Sequence, residues 1–306
     1  MSIRFGVHAG PHDLPLDELR AFWRDMDQSG VDWISVGDHF YPPPPLVDTR
    51  PYYEAIALLS AMAVETDHAR LGSLVFGAPF RNPAALAKAF TTIDHLSHGR
   101  LEIGLGAGWH EAEFAAFGYD YPPIGQRLDI LEEVIQIIRS MLTQERTTFD
   151  GDHFHVHDVT CQPPPIQTRV PIWIGGRGEK RTLRIAARHA DGWNANSVSP
   201  DEFSRLSAVL DRWCEREGRN PATIRRTVNL SFNLFTNAAQ AAEVAQSVAK
   251  PDGWLLGTPD TAFDQVAAYL QAGVGGVNVL VRTPWDREAV RIYVEEVLPA
   301  LRQQFP

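Results

Sequence analysis

Cysteine is nearly absent. Cys161 and Cys214 are the only two in 306 residues, far apart and without a CxxC spacing. That excludes a disulfide framework or a zinc knuckle as the organising device, and a reduced cytoplasmic compartment fits it best. A basic excess is missing too. Lys and Arg number 28 against 38 Asp and Glu, a formal charge of −10. Such a surface is ill suited to nucleic acid, which is held mainly by cations neutralising phosphates. No run of about 18 apolar residues offers a membrane span, and MSIRFGVHAG lacks the basic start and apolar stretch of a signal peptide. Internal repeats are absent. The one low-complexity tract is the run of prolines at 42–45, an extended loop because consecutive prolines cannot be helical.

What is present is an ordinary globular composition, 44% hydrophobic and 22% charged, with ample length to bury a core. Short apolar runs recur at 3–7 (IRFGV), 33–36 (WISV), 70–76 (RLGSLVF) and 100–106 (RLEIGLG). Four more stand at 170–176 (VPIWIGG), 190–195 (ADGWNA), 225–235 (RRTVNLSFNLF) and 275–281 (GGVNVLV). Helical periodicity fills the gaps, clearest where Leu128, Leu131, Ile135, Ile138 and Leu142 fall three or four apart. Eight alternating units with nearly continuous apolar strands predict an α/β fold. It is a parallel sheet closed into a (β/α)8 TIM barrel rather than an open one, forming a single domain over residues 1–306. Residues 145–170 break the rhythm. Alternation around Asp150 and Gly151 predicts a hairpin followed by a proline-rich connector, an insertion between the fourth helix and the fifth strand.

In a barrel of this kind the chemistry sits at the C-terminal ends of the strands. There the sequence offers His8 after strand one, Asp38 and His39 after strand two, and residues 77–81 after strand three. Strand four leads to Gly106, Ala107, Gly108 and Trp109, strand five to Gly175, Gly176, Arg177 and Gly178, and strand six to Trp193, Asn194 and Asn196. A zinc hydrolase is disfavoured: His8 and His12 lie four apart in a Gly-Pro loop, not on a helix face. His153, His155 and His157 alternate and would share one strand face, which suits an exposed polar hairpin better than a metal, so no metal is expected. GLGAGW lacks the GxGxxG frame and by itself marks only a tight turn. IWIGGRGEKRTL is more specific. Glycines at a strand end running straight into a helix start present free N–H groups and the positive end of a helix dipole, which suits a phosphate. Arg177, Lys180 and Arg181 add positive charge there; the alternative is a plain β-to-α turn with solvated cations.

DHFYP, RNPAALAKAFTTIDHLSHGRLEIGLGAGWHEAEFAAFG, PPPIQTRVPIWIGGRGEKRTLRIAARHADGWNA and GTPDTAFDQVAAYLQAG occur in this order. Together they resemble the luciferase-like monooxygenase superfamily, and most of all its branch using the 8-hydroxy-5-deazaflavin coenzyme F420. The resemblance spans residues 3–300 and implies a barrel, a homodimer, and a flavin or deazaflavin at the strand ends. It implies Asp38 against the ring, His39 beside the reacting face, and Leu74 and Val75 in a bulge behind the ring with a non-prolyl cis peptide. Ala107, Gly108 and Trp109 would follow the ring or ribityl chain, and Gly175, Gly176, Arg177 and Gly178 the phosphate. Related sugar-phosphate dehydrogenases carry a glutamate acid where this chain has Trp109. Glu111 and Glu113 stand close by on a helical start, where acidic residues are commonly solvated or structural.

The implied activity is hydride transfer between F420 and a small organic substrate, with His39 as the catalytic base. Imidazole is the side chain that changes charge between about pH 5 and 8. The alternatives are an FMN-dependent monooxygenase using oxygen, and a cofactor-binding protein without turnover. Trp109, Trp193, Phe40, Tyr41 and the prolines at 42–45 are placed either to wall an apolar pocket or to serve as packing.

Overall fold

A computed structural model describes residues 2–42, 50–248, 252–281 and 285–305. The first strands along the chain are β1 (Arg4–Ala9), β2 (Trp33–Val36), β3 (Arg70–Ser73), β4 (Phe76–Gly77), β5 (Leu101–Gly106) and β6 (Thr147–Asp150). They are followed by β7 (His155–Val159), β8 (Ile172–Gly175), β9 (Gly192–Asn196), β10 (Arg225–Leu234), β11 (Trp254–Gly257) and β12 (Gly276–Val281). β1, β2, β3, β5, β8, β9, β10 and β12 pair in parallel in that order, and β12 returns to β1. The sheet is therefore a closed (β/α)8 barrel, and each of the eight apolar runs supplies one of its strands.

Burial on both faces explains the unbroken apolar strands. β2, β5 and β12 are buried at every position, one face filling the barrel and the other packed beneath helices. Helix Ile124–Thr143 turns Leu128, Leu131, Ile135, Ile138 and Leu142 inward as its spacing requires. Several helices start on an oxygen cap followed by proline: Asn82 accepts from the Ala84 and Ala85 amides, Ser199 from Glu202 and Thr258 from Thr261.

The N-terminal end of the barrel is filled by a polar plug. Glu102, 1% exposed, accepts hydrogen bonds from Arg4 at 2.7 Å, from Arg70, and from Trp173 Nε1 at 2.7 Å. The Trp33 and Trp173 rings stack 5.1 Å apart beside it. This end is built for stability, which leaves the opposite end for a site.

The hairpin β6–β7 stands between helix Ile124–Thr143 and β8, as expected. Glu133 on that helix pins its turn by accepting the amides of Asp152 at 2.8 Å and Phe154 at 3.0 Å. As the family resemblance implies, the Leu74–Val75 peptide is cis, and it interrupts the third apolar run between β3 and β4. One feature departs from the sequence reading. A ninth parallel segment, β11, pairs with Ser231–Leu234 where β10 runs on beyond the ring. It lies on the edge of β10, outside the alternation of eight units that the sequence displays.

Candidate active site

The strand C-termini enclose a cavity of about 740 Å³. Asp38 and His39 follow β2 into its wall, and their side chains are wired differently. Asp38, 3% exposed, accepts a two-pronged bond from Arg81, at 2.7 and 2.8 Å, and the Gly77 amide at 2.9 Å. Arg81 also reaches Glu54 at 2.6 Å. Burial raises the Asp38 carboxyl above its ordinary range, and Arg81, Gly77 and then His39 pull against that. Asp38 thus lines the cavity with both oxygens engaged, tying the β2 end to the loop after β4.

His39 meets Glu113, which also borders the cavity, through Nδ1, 2.9 Å from Oε2. Glu113 is fully buried, and its other oxygen accepts the amides of Phe40 and, at 3.2 Å, Tyr41. Burial acts to raise the Glu113 carboxyl, but the His39 hydrogen bond and charge, with the two amides, bring it below its ordinary value. An ionised carboxylate only accepts, so His39 donates from Nδ1, and the neutral imidazole in that arrangement has Nε2 as its acceptor. Glu113, expected from the sequence to be solvated or structural, is buried against His39 and the loop after β2. Aromatic rings form a roof around it: Phe40 stacks on Phe117 at 4.3 Å, Phe80 lies tilted against Phe114 at 4.6 Å, and Phe114 meets Tyr121 at 5.0 Å.

The bulge at Leu74 and Val75 lines the cavity, and glycines make room for it. A β-carbon on Gly106 would lie 2.6 Å from Val75 Cγ2, and one on Gly175 2.9 Å from its Cγ1. These glycines therefore serve packing of the bulge, whatever else they touch. Gly108 takes φ +73°, a left-handed conformation, where a β-carbon would also strike the Phe114 ring at 2.7 Å. Ala107 and Trp109 line the same wall. Trp109 is 56% exposed, its ring 5.3 Å from His110 and 5.6 Å from His39.

At the fifth strand end, Gly176 and Thr182 line the cavity while Arg177 and Gly178 are exposed and do not. The helix begins at Thr182 rather than at the glycines, after a turn over 179–181. Arg181 is turned aside to the Gly125 carbonyl, 2.8 Å, and to Asp129. The expected aromatic wall is also revised. Trp193 is fully buried and donates to the Gly176 carbonyl at 2.8 Å, and Phe40 belongs to the roof over Glu113. Residues 43–45 of the proline tract lie outside the described residues. In the barrel interior, Asn194 donates to Thr227 and Asn229, and Asn278 donates to Asn229. Buried amides satisfied this way give the cavity a polar wall.

Among the described residues, one set of metal-ligating type converges: His39, His110 and Glu113, with ligating atoms within 4.8 Å of one another. His110 is not singled out by the strand-end pattern. The hairpin histidines do not converge; His155 pairs with Asp150 at 2.6 Å. Among the described residues no helix is long and apolar enough to cross a membrane.

A closed barrel with a deep cavity at its strand C-termini and a buried acid behind a cavity imidazole defines an α/β-barrel enzyme scaffold. The chain belongs to the luciferase-like monooxygenase family, whose profile matches residues 1–252. It is 27% identical over 330 positions to the F420-dependent glucose-6-phosphate dehydrogenase of Intrasporangium calvum, covering 96% of both chains. To the enzyme of that name from Kineococcus radiotolerans it is 30% identical over 244 positions, 79% of this chain and 71% of the relative. A solved F420-dependent secondary alcohol dehydrogenase in complex with an F420-acetone adduct matches with a TM-score of 0.86 at 20% identity, covering 99% of this chain and 100% of that one. That last likeness is one of fold.

Proposed function

We propose that this protein is a coenzyme F420-dependent oxidoreductase that moves hydride between the deazaflavin and a small organic substrate. The observation that carries this is His39, held at Nδ1 by the buried Glu113 carboxylate so that Nε2 is left to take a proton at the cavity. The F420-dependent dehydrogenases named above support the cofactor class.

The residues fit a planar, phosphate-bearing ring system. The cavity volume falls within the usual range of roughly 300–1,000 Å³ for such ligands. Its wall is a Val75 bulge seated on glycines that have no room for a β-carbon. Leu74, Val75, Ala107 and Gly108 would hold the ring, with Asp38 in the wall beside it. Gly176 and Thr182 would lie toward the phosphate, with Arg177 outside them. When bound, the deazaflavin supplies a carbon that accepts or donates hydride. His39 Nε2 takes the proton of a substrate hydroxyl, or returns it in the reverse direction. Glu113 fixes the tautomer and stabilises the imidazolium that forms. Homodimerisation belongs to the same reading, and sedimentation at the mass of one chain would remove it.

The test is titration with F420 and separately with FMN, followed by absorption and fluorescence, with oxygen uptake measured on reduced FMN. F420 is expected to bind and to be reduced by a small alcohol. His39→Asn should keep F420 affinity within a few fold and lower turnover about 10²–10⁴ fold. Oxygen uptake on reduced FMN without F420 binding overturns the reading.

A further inference from the structure

Tyr52 lies outside every motif that marks the strand ends, yet it lines the same cavity. Its ring stacks on His12, nearly parallel at 4° with centroids 6.0 Å apart, and its backbone forms an antiparallel bridge to His12. Its other neighbour is His39, met edge-on at 6.0 Å and 89°. The position of the hydroxyl is marked by Gly37. A β-carbon on that glycine would lie 2.7 Å from the Tyr52 oxygen, 3.8 Å from His8 Nε2 and 3.9 Å from His39 Cδ2. Cδ2 is bonded to Nε2 in the imidazole ring. The Tyr52 hydroxyl therefore packs directly against Gly37, which as a glycine leaves it that place, on the side of the His8 and His39 ring edges, and all four residues line the cavity.

We propose that Tyr52 is a catalytic residue that donates a hydrogen bond to the same substrate oxygen whose proton His39 exchanges, the oxygen sitting in the cavity between the two side chains. This rests on the oxidoreductase reading and adds the second contact to the reacting oxygen. In the oxidation direction the hydroxyl proton goes to His39 Nε2. The carbinol C–H leaves with its electron pair as hydride to F420, the C=O bond forms, and Tyr52 keeps its own proton throughout. In the reverse direction its O–H polarises the carbonyl while imidazolium returns the proton. Burial, followed by the nearby Asp38 and Glu113 carboxylates, pushes the phenol well above its ordinary value of 10.0. Tyr52 therefore remains a donor and not a base across the working range. The two sides of the oxygen are thus served by different chemistry: a neutral donor that never loses its proton, and an imidazole that does.

The experiment uses the F420-bound protein and its Tyr52→Phe variant, which keeps the ring, its stacking on His12 and the backbone bridge. The infrared carbonyl stretch of carbon-13-labelled ketones, from acetone to cyclohexanone, is read on both, together with F420 affinity by fluorescence. The wild type should lower the stretch of a bound ketone. Tyr52→Phe should restore it toward the solution value, hold F420 affinity within about twofold, and lower kcat about 10 to 10³ fold, the range for losing one preorganised donor. Gly37→Ala places a methyl 2.7 Å from the Tyr52 oxygen and displaces the hydroxyl while keeping it in the chain, and should reproduce the kcat loss. A Tyr52→Phe protein that keeps the shifted stretch and wild-type kcat overturns the proposal, as does a wild-type holoprotein that shifts no carbonyl in the series. A wild type that binds no F420 instead removes the oxidoreductase reading itself.

Discussion

Glu113→Gln preserves shape while removing one negative charge and half of the acceptor capacity. The carboxylate accepts from three donors: His39 Nδ1 at 2.9 Å, the Phe40 amide, and the Tyr41 amide at 3.2 Å. A glutamine has one acceptor oxygen and must choose. With the oxygen toward His39, its NH2 faces two buried backbone N–H groups, each stranded at a cost of about 1–3 kcal/mol. With the oxygen toward the backbone, both amides stay satisfied and the NH2 faces His39 Nδ1, which can only accept once its proton moves to Nε2. The second arrangement is cheaper. It exchanges one charge-assisted bond for a neutral one, a loss of about 1–2 kcal/mol. The variant should therefore fold, with a melting point lower by a few degrees, while presenting N–H to the cavity where an acceptor is needed. Turnover should fall by about 10²–10⁴ fold, the range for losing a positioned base. Nitrogen NMR of His39 reads the tautomer without any turnover and should show the proton moved from Nδ1 to Nε2. If His39 keeps Nδ1–H in the variant and turnover is unchanged, Glu113 is only a brace for the Phe40–Tyr41 turn.

The same pair sets a pH dependence. Glu113 is lowered from its ordinary 4.5. A carboxyl lowered by folding contributes stability that is complete above its unfolded value and is lost as pH falls through its folded value. The stability difference between wild type and Glu113→Gln should be full above 4.5 and shrink below it. Urea unfolding near neutrality gives the full difference and unfolding at pH values stepped down below 4.5 follows its loss, and a difference that grows in acid refutes the assignment.

Arg81→Met removes the fork from Asp38, whose side chain is 1% exposed. Breaking a buried pair on one side costs about 3–5 kcal/mol, seen as a lower urea midpoint, and a loss below about 1 kcal/mol would mean that Asp38 does not depend on that charge. Gly106→Ala drives a methyl to 2.6 Å from Val75 Cγ2 in a fully buried strand, and overpacking of this kind costs about 1–3 kcal/mol. F420 affinity should fall with it, because Val75 lines the cavity and yields into the room the ring would take. Gly125→Ala is the control, since its β-carbon meets nothing closer than 3.7 Å, and an equal loss there would refute the packing argument.

The barrel was legible because its signal is local and repeated. Eight apolar runs separated by helical periodicity admit few topologies once parallel strands need buried faces. Helix Ile124–Thr143 shows the point, since the stripe Leu128, Leu131, Ile135, Ile138 and Leu142 is its buried face. β11 escaped because WLLG, as short as WISV, lies outside the alternation of eight units, and only pairing with the end of β10 makes it a strand. The break between β3 and β4 has no local marker either. A non-prolyl cis bond is disfavoured by about 3–4 kcal/mol in any sequence context, so only the likeness to a family pointed to Leu74–Val75.

The site divides along the same line. Asp38 and His39 could be read because a charge and an imidazole at the end of an apolar strand have few structural reasons to be there. Their partners could not, because each is set by loops that meet only in the fold. Arg81 is 43 residues from Asp38, and Glu113 is 74 from His39. An acid at the start of a short helix suits the helix dipole in solvent, so Glu113 looked accounted for. What changes its meaning is the roof above it, built from Phe40 after strand two and Phe114, Phe117 and Tyr121 after strand four. Two aromatic clusters in separate loops have to pack somewhere, and packing them on each other desolvates whatever polar group lies between. A carboxylate there must find donors, and the Phe40 and Tyr41 amides with His39 are the donors the β2 loop brings. Aromatic density flanking an acid, opposite aromatic density flanking an imidazole, is thus a signal present in the sequence, and its physical content is the burial that turns Glu113 from a solvated charge into the group that sets the His39 proton.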